Sequence, residues 1–600
     1  MQREAKFSDR VAALAATLLA SVGVWPLLRI GWVPSDEGTL AQSALRVYQG
    51  QLPHRDFAEI YTGGLAMWHA LAFRMLGVNL FSLRLATWFL FVLWVPVIYW
   101  IARRWLSPTG AFLATLTATA WSYPNYVAAM PSWYNLFFAT FGVAALLRYV
   151  EKRTLRWLVL AGVFAGLSVL VKITGLYFIA AALIWFAWME QGTAMQSEGR
   201  KSSSGWAYRL VCGLGLVGYV VALTKLLAAQ LHSGEVYSLL LPSLLCVGLW
   251  FWRERDVSAS GDLARFAAML KMVLPFLAGA LAVVACFAAP YVRSGSLRLL
   301  LHGIFQSVGE RAVGLAGRTT MPGVEYALYS VLLLGIIVFA LRWPSVAARR
   351  SVIVVIALVL LGMVVVSSVL PGLQDTWMMA GMATPLVIAL GVWRIRKGQL
   401  RGLASDRALL LIVCAAVCSL VQFPVSYVTY FCYIAPLVLL AAVAVLGDER
   451  RPLFNIVMGF LLLFGCFALV PKHVYNPQLQ VARTQPMLWP RGGLRVEDST
   501  NHFAEIIPLL QQHSPNGLLY AGNDCPELYF LSGLKNPTRD DTGASSEVVL
   551  EALRSGTLHV VALNDASFFA AGDVSPELRA AIAQRLPHSQ KVGAFSIYWD

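Results

Sequence analysis

The chain has 600 residues, of which 58% are hydrophobic and only 13% charged, and its formal net charge is +15. Soluble domains carry about 25% charged residues, so the composition excludes a soluble enzyme and reads as a polytopic α-helical membrane protein. It excludes a nucleic-acid-binding role as well. No such module is visible, and the basic residues gather in short stretches between apolar runs, as Lys and Arg do in cytoplasmic loops (Arg103 and Arg104; Arg148, Lys152, Arg153 and Arg156; Arg349 and Arg350; Arg450 and Arg451).

The first apolar run, 11–33, follows Arg3, Lys6 and Arg10. Its end, "WPLLRIGWVPSDEG", has no small-x-small cleavage site, so it reads as an uncleaved first span rather than a signal peptide. Two adjacent acids, Asp36 and Glu37, stand where that span ends. A charge at a bilayer centre costs at least about 2.5–3.5 kcal/mol, but at the water boundary it costs little. "SDEGTLAQSALRVYQGQLPHRDF" then continues as an amphipathic helix pattern and a Pro-led turn.

Further spans are expected at 83–102, 110–127, 135–150, 157–171, 174–190, 207–229, 236–252, 270–290, 326–342, 351–370, 377–393, 407–422, 430–446 and 453–471. The short runs of 110–190 leave the total at about 13–15 crossings. A cytoplasmic N-terminus puts the basic clusters inside, and an odd count puts the C-terminus outside. Lys172, in "VLVKITG", then sits at the outer tip of a tight hairpin. Two outer loops are long, 34–82 and 291–325. The second contains "SLRLLLHGIFQSVGERAVGLAG", also amphipathic. Both read as helices lying along the outer membrane surface and roofing a cavity.

The composition changes near 472. Residues 1–471 read as the membrane domain and 472–600 as a small extracytoplasmic α/β domain with ten Lys/Arg and thirteen Asp/Glu. A linker-like stretch comes first. "NHFAEIIPLLQQH", "CPELYFLSGL" and "SPELRAAIAQRL" read as helices, and "NGLLYAG", "TLHVVALN" and "VGAFSIYW" as strands. Seven of the eight cysteines lie in or beside apolar runs, which argues against a disulfide framework.

Four stretches carry a resemblance: "PSDEG" after the first span, "QGQLPHRDFAEIYTGG" (49–64), "LAGVFAGLSVLVKITGL" (160–176) and "PELYFLSGLKNPTRD" (526–540). With them the chain resembles bacterial GT-C glycosyltransferases, within the family of the protein O-mannosyltransferases and the lipid A aminoarabinose transferase. It departs from that family where His54 replaces a Tyr and where "SYVTYFCY" (426–433) lacks a His-Tyr pair. The resemblance implies an inverting transfer of one sugar from a polyprenyl-phosphate donor to a glycan, lipid or protein acceptor, on the outer face of a bacterial inner membrane. It requires no cofactor. His54, Asp56, Glu59, Asp36 and Glu37 could ligate a divalent metal, but no spacing among them is diagnostic. No Gly-rich phosphate loop is present either.

Transfer to a hydroxyl needs a base for the acceptor proton and cations for the leaving phosphate. The resemblance makes Asp36 the catalytic acid/base residue; the alternative is an N-cap for a helix beginning near Gly38. Glu37 would hold donor or acceptor, or be solvated. Asp56 would return to the site as a second carboxylate, or pair with Arg55 in a turn. Lys172 matches the family's lysine and suits a lipid phosphate as a point charge, with snorkelling as its rival. Arg55, Arg84, His302 and Arg311 are the other outer-face cations. The aromatics of "WSYPNY", "PSWYN" and "SYVTYFCY" would stack on sugar or isoprenoid, or anchor at the interface. Rival functions are a lipid-linked glycan ligase or polymerase, a transporter or flippase, and an inert scaffold of an export complex.

Overall fold

A computed structural model describes residues 2–196, 206–257, 261–315, 373–424, 428–447, 452–467, 484–487, 489, 491–497, 502–522, 524–541, 546–565 and 574–600. The expected spans 326–342 and 351–370 and the expected domain boundary near 471 lie outside these residues. Among them, seven helices are long and apolar enough to cross a membrane: Ser8–Arg29, Leu80–Ala102, Ile173–Met195, Trp206–Leu227, Ser233–Glu254, Asp262–Arg293 and Gly402–Gln422. Arg156–Val171 and Ala435–Leu446 are shorter apolar helices. The protein is a polytopic helical membrane protein with a small sheet domain near its C-terminus.

The start of the chain shows how sequence sets the frame of the site. The first helix, Gln2–Val24, gives way to a short 3-10 turn, Trp25–Arg29, at Pro26, which has no N–H to continue the helical ladder. The chain then passes through Ile30 and Val33 in extended geometry, with Gly31 at φ 61 between them, to Pro34, whose fixed φ suits the first position of a helix. Pro34–Tyr48, here called the acid helix, therefore begins two residues before Asp36. Both acids lie in its first turn, at the positive end of the helix dipole. The N-cap considered as the alternative for Asp36 is not its role. The capping position is Val33, and it is Glu37 that reaches back, accepting the Val33 N–H at 3.2 Å.

The hairpin around Lys172 forms as expected. Arg156–Val171 and Leu176–Gln196 are joined through Ile173–Gly175, with Lys172 in extended backbone between them. Arg156–Val171 packs along Asp262–Arg293, and small residues set the distance. A Cβ added at Gly162 would lie 1.8 Å from the Phe276 carbonyl oxygen, and one at Gly279 2.1 Å from that of Val159. Two backbones can approach this closely only where both helices present glycine. The first of the two glycines in "LAGVFAG" is thus a packing residue.

Near the far end of Leu176–Gln196, Arg265 is 2% exposed and forms ion pairs with Glu190 at 2.7 Å and with Glu254. Three helices are clamped there, roughly 20 Å from the Lys172 turn at 1.5 Å per residue.

The C-terminal sheet has four strands in the order Tyr520–Gly522, Val560–Asn564, Phe595–Trp599, His588–Val592. The first pair is parallel and the other two are antiparallel, with Ala562 opposite Ile597. Side chains alternate between its faces with the period of two that a strand dictates. Val561 and Leu563 pack under Ser546–Arg554 and Pro576–Arg585, while Val560, Ala562 and Ile597 pack against Phe503–Gln512. "VGAFSIYW" was expected as one strand, but it contains a turn. Val592 ends His588–Val592, and the chain returns as Phe595–Trp599. The linker-like stretch holds a two-stranded ribbon, Thr484–Pro486 with Arg495–Glu497.

Candidate active site

The acid helix is held at its base by one side chain. Arg84, fully buried on Leu80–Ala102, forks onto Glu37 through Nε–Oε1 and Nη2–Oε2, both 2.7 Å. Its remaining N–H groups go to the carbonyls of Leu28 at 3.0 Å, Ile30 at 3.2 Å and Gly31 at 2.6 Å. The structure thus brings two of the expected site residues together, as partners of each other and of the turn that ends the first helix.

Asp36 points elsewhere. It is half-buried, and its Oδ2 accepts a hydrogen bond of 2.5 Å from the Tyr126 hydroxyl. Tyr126 lies in the segment between Pro108–Ala120 and Pro131–Lys152, where the Trp133 indole donates to its carbonyl at 2.8 Å. Trp133 meets Tyr433 edge to face at 4.4 Å, and Tyr430 follows at 5.5 Å. Tyr433 in turn lies within electrostatic range of both Asp36 and Tyr61. Tyr126, Trp133 and Tyr433 are all buried. They form an inner wall, and the interfacial anchoring considered for them does not describe these three.

Lys172 lies near a further aromatic residue, Tyr61. Its ammonium lies 6.0 Å from the centre of the Tyr61 ring and 3.5 Å from Ser132 Oγ. Beside it a small cleft is lined by the polar side chains of Ser132, Asn135, Ser168 and Thr174 and by the apolar ones of Leu136, Phe178, Val421 and Leu437.

The other expected residues occupy the outer loop. Asp56 accepts the Leu52 N–H at 2.7 Å and pairs with Arg55 at 2.7 Å, the turn arrangement considered above. The Arg55 hydrogen bond holds its carboxyl below the usual carboxylate range. His54, at φ 62, is buried, with Nε2 2.9 Å from the Tyr61 carbonyl, and burial lowers its pKa to about 4. The turn is also held by the C-terminal domain, since Arg539 donates to the carbonyls of His54 at 3.0 Å and Arg55 at 2.6 Å. Arg46 on the acid helix pairs with Asp541 at 2.9 Å. His302 is exposed on Leu297–Leu315. The side chain of Arg311 lies outside the described residues. Among the described residues no three His, Cys, Asp or Glu side chains converge as a metal site would need.

Against this geometry the sequence matches, over residues 65–222, the family described as dolichyl-phosphate-mannose-protein mannosyltransferase. The chain resembles that family. The matched segment carries Arg84, Tyr126, Trp133, Ser132 and Lys172, and the acid helix precedes it. No curated protein matches. Three solved structures align with much of the chain. ArnT from Cupriavidus metallidurans bound to undecaprenyl phosphate is 14% identical, covering 98% of this chain and 97% of ArnT, with a TM-score of 0.38. Its apo state is 15% identical over the same shares, again at 0.38. The archaeal oligosaccharyltransferase AglB from Archaeoglobus fulgidus, in complex with an inhibitory peptide and a dolichol-phosphate, is 10% identical, covering 92% of this chain and 69% of AglB, at 0.40.

Sequence reasoning missed Tyr126, Tyr61 and Tyr433 as individual site residues. A signal was available for Tyr126. It lies in a short segment, "SYPNY", that is too polar and Pro-bearing to extend the apolar helix before it.

Proposed function

We propose that this protein is an inverting glycosyltransferase that moves a single sugar from a polyprenyl-phosphate donor to a hydroxyl-bearing acceptor at the outer face of a bacterial inner membrane. One observation carries the reading. A carboxylate bonded by a tyrosine, Asp36 with Tyr126, and a lysine, Lys172 beside Tyr61 and Ser132, stand with buried aromatic side chains and a cleft lined by both polar and apolar residues. A lipid phosphate likewise has polar and apolar parts. The match to a mannosyltransferase family supports the reaction class.

In the proposed step the acceptor oxygen attacks the anomeric carbon on the face opposite the phosphate. The bond from that carbon to the phosphate oxygen breaks with its electron pair, and polyprenyl phosphate leaves. Asp36 takes the acceptor proton. Lys172 stabilises the charge that develops on the phosphate. Tyr126 and the wall hold Asp36 in place and limit water. Glu37 and Arg84 serve the site as its footing.

The test is a transfer assay on the purified protein in nanodiscs with radiolabelled polyprenyl-phosphate sugars and protein, lipid and glycan acceptors. The expected result is one sugar transferred per polyprenyl phosphate released. Transfer of whole lipid-linked chains instead would make the protein a ligase or polymerase, and donor movement without transfer would make it a flippase. In the same assay Lys172→Ala should weaken donor use strongly and Lys172→Arg should retain part of it, because a point charge is what the phosphate needs. Wild-type turnover in the Ala variant would leave Lys172 as a snorkelling residue.

The reading also requires the acid helix to be on the outer side. With the N-terminus inside, a reporter active only in the cytoplasm and fused after Asp600 should be silent. Full reporter activity would move the acid loop to the wrong face.

A further inference from the structure

Glu527 is the second residue of Pro526–Ser532, a short helix of the C-terminal domain that lies against the acid helix. It is 2% exposed, and its Oε2 has no hydrogen-bond partner. The approach is as close as backbones allow. A Cβ added at Gly38 would stand 2.6 Å from both the Glu527 nitrogen and Cβ. One turn along the acid helix, on the same face, Gln42 is also buried, and its Oε1 has no partner either. The contact is flanked by the stacked rings of Phe73 and Phe530 at 5.9 Å and by the Arg46–Asp541 pair.

A buried carboxylate needs a cation, and among the described residues none is paired with Glu527. The charged and titratable groups on the packed elements are Asp36, Glu37, Arg46 and Tyr48 on the acid helix, His69 and Arg74 on Gly64–Leu76, Glu505 on Phe503–Gln512, Tyr520 on the neighbouring strand, and Asp524, Cys525 and Tyr529 in its own segment. Arg491 sits near the other end of its helix, donating to the Phe530 carbonyl at 2.8 Å. Arg46 is taken by Asp541 and Glu37 by Arg84. Arg74 is exposed and His69 is turned to the Tyr134 hydroxyl at 2.8 Å, and the remainder are acids or weak acids.

We propose that Glu527, as an uncharged carboxylic acid, is a positioning residue for Asp36: through its contact at Gly38 it seats the acid helix against the C-terminal domain. The inference rests on the reading of Asp36 as the base. Burial first, and then the nearby Asp524 charge, raise the Glu527 pKa to about 8. The sign follows. Once the helices separate, the carboxyl returns to water and to its ordinary value. The seated state then holds a proton that the separated state has lost, so seating weakens as pH rises from about 5 to about 8 and changes no further above that.

Backbone hydrogen exchange of residues 34–48, corrected for intrinsic rates, tests this on the full chain in nanodiscs. Wild-type protection should fall by up to about tenfold per pH unit between about pH 5 and 8, one proton's worth, and then level off. Glu527→Gln, uncharged at every pH, should keep its protection throughout. Glu527→Ala, which keeps the nitrogen and Cβ that meet Gly38, should lose the pH dependence as Glu527→Gln does, and Gly38→Ala should lose protection at every pH by forcing the helices apart. Parallel pH profiles for wild type and Glu527→Gln, or undiminished protection in Gly38→Ala, would overturn the inference. Neither result depends on sugar transfer, so a failure here is separable from a failure of the catalytic reading.

Discussion

Arg84→Ala is expected to unseat the acid helix and to cost about 3–5 kcal/mol of stability, the usual penalty for stripping one partner from a buried ion pair. The side chain is fully buried and joined to five acceptor atoms. Its removal takes the guanidinium from Glu37, which is 2% exposed, and a donor from three carbonyls. Arg84→Lys should fail nearly as badly, because an ammonium cannot reproduce the planar fork onto both carboxylate oxygens. The double variant Arg84→Met with Glu37→Leu should be more stable than Arg84→Ala, since it removes both charges together. Fluorescence-detected size exclusion after heating ranks these variants directly. If Arg84→Ala survives heating as well as wild type, Arg84 is not the footing of the site, and its guanidinium is available for a substrate role.

What the sequence made legible follows from how local each signal is. The first span, the acid helix and the Lys172 hairpin were readable because apolar runs, a Pro and a lone cation mark them within a few residues. Partner choice is a different matter. Glu37 and Arg84 stand 47 residues apart, and nothing in either neighbourhood says that they meet. The glycine motif at 160–166 was visible as a pattern, but its reason lies on another helix, at Phe276 and Gly279. Tyr126 and Tyr433 were visible as interfacial aromatics, yet only the packing shows that both are buried and that Tyr126 bonds to Asp36. In the C-terminal domain the miss was a strand. "HSQKV" has four exposed residues and no apolar alternation, because it is an edge strand whose register is fixed by its neighbour Phe595–Trp599.

Asp36→Asn should reduce transfer by about 10²–10⁴-fold, the usual weight of a general base, while expression, folding and donor binding stay near wild type. The structure sharpens that expectation. The acid helix begins at Pro34 with Val33 in the capping position, and its footing is Glu37, so Asp36 is not needed to start the helix or to hold it. Asn keeps the size and can still accept from the Tyr126 hydroxyl. What it cannot do is take a proton. Asp36→Ala should therefore be nearly as well folded as Asp36→Asn and equally inactive, which separates catalysis from capping. Tyr126→Phe provides the complementary measurement. It removes the 2.5 Å hydrogen bond but leaves the carboxylate, so transfer should fall less than in Asp36→Asn, with kcat affected more than KM. Native turnover in Asp36→Asn would move the base to another carboxylate. Glu37 is already committed to Arg84 and Asp56 to Arg55, so the reading of this site as a transferase would then have to be rebuilt from Lys172.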